Sequence, residues 1–211
     1  MPAAHRPYAG PRLIRFLAAA TVVIGAASAF WGVAYAINGA TQAPAYVTVP
    51  VAYKHPLDHP EPAVGLTGPR LPEGVRLRPA AGELDLTAWD STVLEQLLAR
   101  GGVAVTGVCL GVAAVLVRRV LLSVVEGEPF RAGNPARIAG LAGLVAFAGV
   151  AGAVLAHISA SSVLGRLDLA GSFVTGVSIP LEPVLVALLL LVLAEAFRHG
   201  GELAEDVVGT V

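Results

Sequence analysis

One feature constrains this chain more than any other: it contains apolar runs too long to be the buried elements of an ordinary soluble domain. From Leu13 to Ile37 there is no charge after Arg15. As a helix that run would rise about 37 Å, more than the roughly 30 Å hydrocarbon core of a bilayer, so it can cross with some tilt. Its basic start (Arg6, Arg12, Arg15) also has the form of a secretory signal, but a signal's apolar region is typically about 7–15 residues. The reading is an uncleaved anchor, with cleavage near Ala43 as the alternative. Trp31 and Tyr35 near its far end suit an interfacial aromatic belt.

Composition extends the argument to the whole chain. Of its 211 residues 55% are hydrophobic and 14% charged, where soluble domains carry about 25% charged residues. A net charge of −1 gives no basic surface for direct nucleic-acid binding. A second run, about Gly102 to Val117, ends at Arg118-Arg119. It is expected to be preceded by helix from Thr92, because Thr92-x-x-Glu95 has capping-box form. A third runs from Ile138 to about Ser159 and is opened by Asn134-Pro135, a cap followed by a proline that loses no needed donor. The fourth centres on Val184 to Phe197 and starts near Ile179, with Pro180 or Pro183 in its first turn.

The expected fold is a membrane all-α bundle of four transmembrane helices with a small β-rich cap between helices 1 and 2. Arginine placement in the short connections orients it, since cytoplasmic loops hold the excess of Lys and Arg. The expected layout is a cytoplasmic N-terminus (1–12), a first span (13–37) and an extracytoplasmic β-rich segment (38–91). A helix containing the second span (92–119), a cytoplasmic loop (120–134) and a third span (135–159) follow. An outer loop (160–178), a fourth span (179–198) and a cytoplasmic tail (199–211) complete it. Both termini thus face the cytoplasm of a bacterial-type inner membrane. In the outer segment Tyr46–Tyr53, Val75–Arg78 and Glu83–Thr87 read as strands, Val174–Ile179 could add another, and His55–Gly74 is either ordered loop or disordered. The cap holds little core of its own and is expected to rest on the bundle. Small residues suggest helix seams: Ala139, Ala142, Ala146, Gly149, Ala153 and Ala156 on span three, Gly107-x-x-x-Gly111 on span two.

Two segments carry a family resemblance. The inner loop reads Arg118-Arg119-Val-Leu-Leu-Ser-Val-Val-Glu126-Gly127-Glu128-Pro129-Phe130, followed by Asn134. The chain ends Leu193-Ala-Glu195-Ala-Phe197-Arg198-His-Gly200-Gly-Glu202-Leu203-Ala-Glu205-Asp206-Val-Val-Gly209-Thr210-Val211. Over spans two to four and the tail this resembles the bacterial membrane-protein family catalogued as domain of unknown function 2975. That family has a Gly-acid-Pro-Phe…Asn inner loop and a terminal Phe-Arg-x-Gly…Leu-x-x-Asp…Gly-Thr-Val tail. Pro135-Ala136 departs from it, because members usually carry more basic residues there. The resemblance implies no known activity; it implies four spans and, as a partner, a small cytosolic helix-turn-helix regulator.

The candidate partner-binding residues are accordingly Glu126, Glu128, Pro129, Phe130, Asn134, Arg198, Glu202 and Asp206, against the plainer reading of a turn, a helix cap and a solvated helix end. Glu195 near the inner end of span four is expected to pair with Arg118 or Arg119 from span two, within snorkelling reach of the interface. His157 has no second ligand at metal spacing, and the lone Cys109 can close neither a disulfide nor a zinc site. No phosphate loop, nucleophile elbow or paired-His motif is present, so neither an enzyme nor a cofactor is expected. Besides the bilayer, the candidate partners are the regulator and a second copy of the chain. The leading expectation is a regulatory or sensory membrane protein. The alternatives are a transporter or channel component, with Thr106, Ser159 and Glu195 as its few polar candidates, and a structural or assembly subunit.

Overall fold

A computed structural model describes residues 10–54, 71–80 and 83–209; side chains at 80, at 83 and from 205 onward are not described. The protein is mostly helical with one small sheet. Helix α1 is Pro11–Thr41, α2 Val93–Val125, α3 Gly133–Arg166 and α4 Leu181–Gly209; strands β1 (Val47–Tyr53), β2 (Arg76–Ala80), β3 (Glu83–Ala88) and β4 (Phe173–Val174) lie between them. Among the described residues three helices, α1, α2 and α3, are long and apolar enough to cross a membrane, the pattern of a multi-pass membrane protein. Helix α4 is not among them. Glu182 at its start and Glu195 and Arg198 further on bracket its apolar stretch.

Every helix outruns its predicted span. Helix α2 continues past Arg118-Arg119 to Val125 instead of giving way to a loop at 120, because nothing in Val120–Val125 breaks a helix and the stop comes at Gly127. Helix α3 continues from Ser159 to Arg166, and the predicted tail from 199 is helical to Gly209. The true connection between α2 and α3 is therefore short. The predicted loop over His55–Gly74 falls outside the described residues as far as 70, and so does Arg6.

The described chain divides into two compact units. The first gathers Met1–Trp31, Thr106–Gly149 and Pro180–Val211, that is, parts of all four helices. Helices gain little from apolarity when the solvent is itself apolar, so backbones must approach closely. Gly25 on α1 lies against Leu110, Gly111 and Ala114 on α2, and a methyl group at Gly111 would come within 3.1 Å of the Ala29 Cβ. Gly140 meets Leu116, and Gly149 meets the ring of Pro183. Ala18, Cys109, Ala114, Ala142, Ala187 and Ala194 are buried among them. The larger apolar side chains point the other way: Phe16, Ile24, Phe30 and Phe147 are exposed, Phe30 by 75%. A surface this apolar calls for a non-aqueous neighbour.

The second unit comprises Gly32–Val105 and Val150–Ile179. Its sheet runs in the order β2-β3-β1-β4, antiparallel wherever pairing is registered, with Val49 opposite Leu86, Leu77 opposite Leu86 and Tyr53 opposite Phe173. Alternation along β1 sends Val47, Val49 and Val51 inward and Thr48, Pro50 and Ala52 outward, as the two-residue period of a strand requires. Pro50 is tolerated because β4 pairs only with Ala52 and Tyr53, leaving one side of β1 an edge at that point. The inward residues share one core with Leu86, Ala88, Ala160, Val163, Leu164, Leu169 and Phe173. The cap does not merely rest on helix; the last two turns of α3 supply Ala160, Val163 and Leu164 to its interior. In the same unit Gly102 packs on Gly152, and Arg100 crosses Gly39 to lie 5.1 Å over the Tyr35 ring.

Candidate functional site

The residues singled out by the sequence converge where α2 ends, α3 begins and α4 continues. Helix α2 stops in a Schellman motif. The Glu128 amide donates to the Ser123 carbonyl (2.9 Å) and the Gly127 amide to that of Val124 (3.2 Å). Gly127 adopts φ +83°, a left-handed conformation that glycine takes without steric cost. The chain then turns at Pro129 and Phe130 and re-enters helix at Gly133.

Asn134 is fully buried, and it is not the helix cap that its position suggested. Its side-chain amide donates to Ser123 Oγ (2.6 Å) and to the Pro129 carbonyl (2.8 Å), while its Oδ1 accepts from the Arg137 guanidinium (2.8 Å). Ser123 Oγ in turn donates to the Val120 carbonyl. One asparagine thus fastens the turn to both helices it joins. Beside it Arg131 reaches Glu126 (3.2 Å) and Glu128 (3.8 Å), with all three side chains more than half exposed.

Helix α4 supplies the other half. Phe130 lies over Gly200, where a Cβ would meet its ring carbons at 2.6 Å, and its carbonyl is 3.2 Å from where a Cβ on Gly201 would stand. The Phe130 and Phe197 ring centroids are 5.5 Å apart. The two glycines therefore form a close-fitting seat for Phe130, which a side chain at either position would push outward. Around it Arg198 bonds both Glu195 and Glu202 one turn away on either side. The expected pairing of Glu195 with Arg118 or Arg119 is replaced by this local one, since Arg198 and His199 lie three and four residues on along the same helix face. Arg118 and Arg119 are exposed, and among the described residues neither forms an ion pair. Asp206 falls on α4, with its side chain outside the described residues.

A second polar cluster went unnoticed in the sequence. Glu95 and Thr92 do form the predicted capping box, the Thr92 amide donating to Glu95 Oε2 and the Glu95 amide to Thr92 Oγ1. The same carboxylate, only 1% exposed, also accepts Arg166 Nε at 2.9 and 3.1 Å. Arg166 extends to the Trp89 carbonyl, Ser159 donates to the Glu95 carbonyl, and Gln96 donates to Ser91 Oγ and the Tyr46 carbonyl. Every polar atom buried there has a partner, which makes the cluster a brace between α2, α3 and the chain just before β1 and just after β3. His157 Nδ1 lies 2.8 Å from Thr175 Oγ1. Among the described residues no group of three or more His, Cys, Asp or Glu side chains could hold a metal. A shallow pocket of about 240 Å³ lies between β1, α3 and the segment that follows β4, lined by Pro50, Ala52, Ala153, Ala156 and Ser178 among others.

No protein family, curated protein or solved structure matches the chain.

Proposed function

We propose that this is a four-span protein of a bacterial cytoplasmic membrane that holds a cytosolic helix-turn-helix regulator on its inner face, while the β-rich segment outside reports on the envelope. In this reading helix α4 is the fourth crossing: Leu185, Leu188, Leu189 and Val192 are exposed apolar residues, and because Glu182 and Glu195 stand only about 20 Å apart along the axis, their side chains snorkel outward and the bilayer thins to meet them. The resemblance to the family of unknown function 2975 supports both the span number and the kind of partner.

The observation that carries the reading is the seating of Phe130 at Gly200 beside Phe197, which joins the loop and the α4 extension into one surface. On it four carboxylates (Glu126, Glu128, Glu195, Glu202) surround two guanidiniums (Arg131, Arg198). That excess of acid complements the basic surface of a DNA-binding partner. Affinity purification from the native membrane tests it. The intact chain should recover a helix-turn-helix protein and a chain lacking residues 199–211 should not; equal recovery by both overturns the proposal.

A further inference from the structure

We propose that the inner ends of α1, α2 and α3 form a seat for anionic phospholipid headgroups, built from Arg12, Arg15, Arg118, Arg119 and Arg137. The inference rests on these helices crossing a bilayer, and not on the proposed regulator.

The helix contacts bring these residues to one depth. Gly25 lies against Gly111 and Ala114, and Ala29 against Gly111, so α1 and α2 run antiparallel. Counting back from Gly25, Arg15 is about 15 Å nearer the inner end, and counting on from the same contact Arg119 is about 7–12 Å nearer it. Gly140 of α3 meets Leu116 of α2. Arg137 and Arg119 each lie three residues beyond that contact, about 4.5 Å in the same direction. All five arginines therefore fall within about two helical turns of depth.

Among the described residues no carboxylate answers their charge. Arg131, Arg166 and Arg198 each pair with a carboxylate. Among the described residues Arg12, Arg15, Arg118 and Arg119 pair with none, all four are exposed, and Arg137 is held by the neutral Asn134 amide. The described carboxylates around the α2–α3 turn and on the inner half of α4 are already engaged: Glu126 and Glu128 by Arg131, Glu195 and Glu202 by Arg198. A guanidinium does not lose its charge by deprotonation, so such a group needs an external counter-charge. A phosphodiester fits its paired donors. Between and immediately beyond the arginines, Leu13, Phe16, Leu17 and Val115 present exposed apolar surface on the same helices. A ligand with a phosphate head and acyl tails matches both halves of that surface.

The test uses the full-length chain in nanodiscs of equal parts phosphatidylcholine and phosphatidylglycerol, released into mild detergent and weighed by native mass spectrometry. The protein should retain phosphatidylglycerol in preference to phosphatidylcholine. The double variant Arg118→Gln, Arg119→Gln should lose that preference by roughly fivefold per arginine, and Arg118→Lys, Arg119→Lys should keep much of it. Arg76→Gln, Arg78→Gln on the exposed edge strand β2 should leave it unchanged. Equal retention of the two lipids by the unmodified chain overturns the inference, and so does an equal loss in the β2 variant or no loss in the glutamine variant. A chain that does not enter the discs overturns the membrane reading itself, whereas failure to recover a regulator leaves the lipid preference untouched.

Discussion

At the scale of single residues, the decisive groups are buried polar side chains that a reading by hydropathy passes over. Glu95 is legible as half of a capping box because its partner is three residues away. Its bond to Arg166, across 71 positions, follows from nothing local. Removing one member of a buried pair leaves the other uncompensated, so Glu95→Gln is expected to cost about 3 kcal/mol, the low end for such a loss because Arg166 is a quarter exposed. The double variant with Arg166→Gln should cost less than the two single changes added together, as measured by denaturant unfolding in detergent. Asn134 was legible as important and misread in role. A surface cap is replaceable at little expense, whereas this side chain satisfies groups on two helices. Asn134→Ala should lower unfolding free energy by about 1–3 kcal/mol in the same assay. Serine is a poorer substitute than at an ordinary cap, being too short to reach both Ser123 and the Pro129 carbonyl.

At the scale of elements, helix existence was plain and helix ends were not. Apolar runs report the hydrocarbon, yet α1, α2 and α3 at 31, 33 and 34 residues exceed what it needs. What stops α2 is the left-handed Gly127, eight residues beyond the arginines that hydropathy takes for its end. The first three strands were easier, since alternation in Val47–Val51 and the turns around it are local signals; the fourth is Phe173–Val174 and not the expected Val174–Ile179, because only Phe173 and Val174 find partners on β1. Close helix packing is testable at Gly25, where an added methyl group would collide with the Ala114 Cβ. Gly25→Ala should destabilise by about 1–3 kcal/mol through overpacking, read from thermal unfolding in detergent. Gly200→Ala makes a contrasting case, because its neighbour is the half-exposed ring of Phe130, which can swing away. The expected outcome is a stability loss of about 1 kcal/mol, the worth of an aromatic pair, together with faster amide hydrogen exchange over 126–132. Under the proposed function this variant should also release the regulator while remaining folded, which a tail deletion cannot separate.

At the scale of the whole molecule, the membrane was legible from the apolar runs, while the joining of the loop to the α4 extension was visible only as two motifs in the right order. Their meeting depends on Gly200 and Gly201 standing opposite Phe130, a steric fact that spacing does not encode. The proposed topology yields a direct expectation. Cys109 is buried, so a Cys109→Ala background is structurally mild and free of other thiols. On it, Thr48→Cys should react with an impermeant maleimide in intact cells, and Leu203→Cys only after the membrane is permeabilised. Reaction of Leu203→Cys in intact cells would refute the orientation.

The sheet carries a consequence for how such a chain is made. Strand β1 emerges early in synthesis, but Val163 and Leu164 at the end of α3, and Leu169 and Phe173 beyond it, which complete its cover, are translated only after α2 and most of α3. Until then Val47, Val49 and Val51 have no lid, and β1 lacks the neighbour that closes its second edge. Completion of the sheet thus waits on the far end of α3 and on β4, and a chain made only as far as α2 displays a strand with an uncovered apolar face and an open edge.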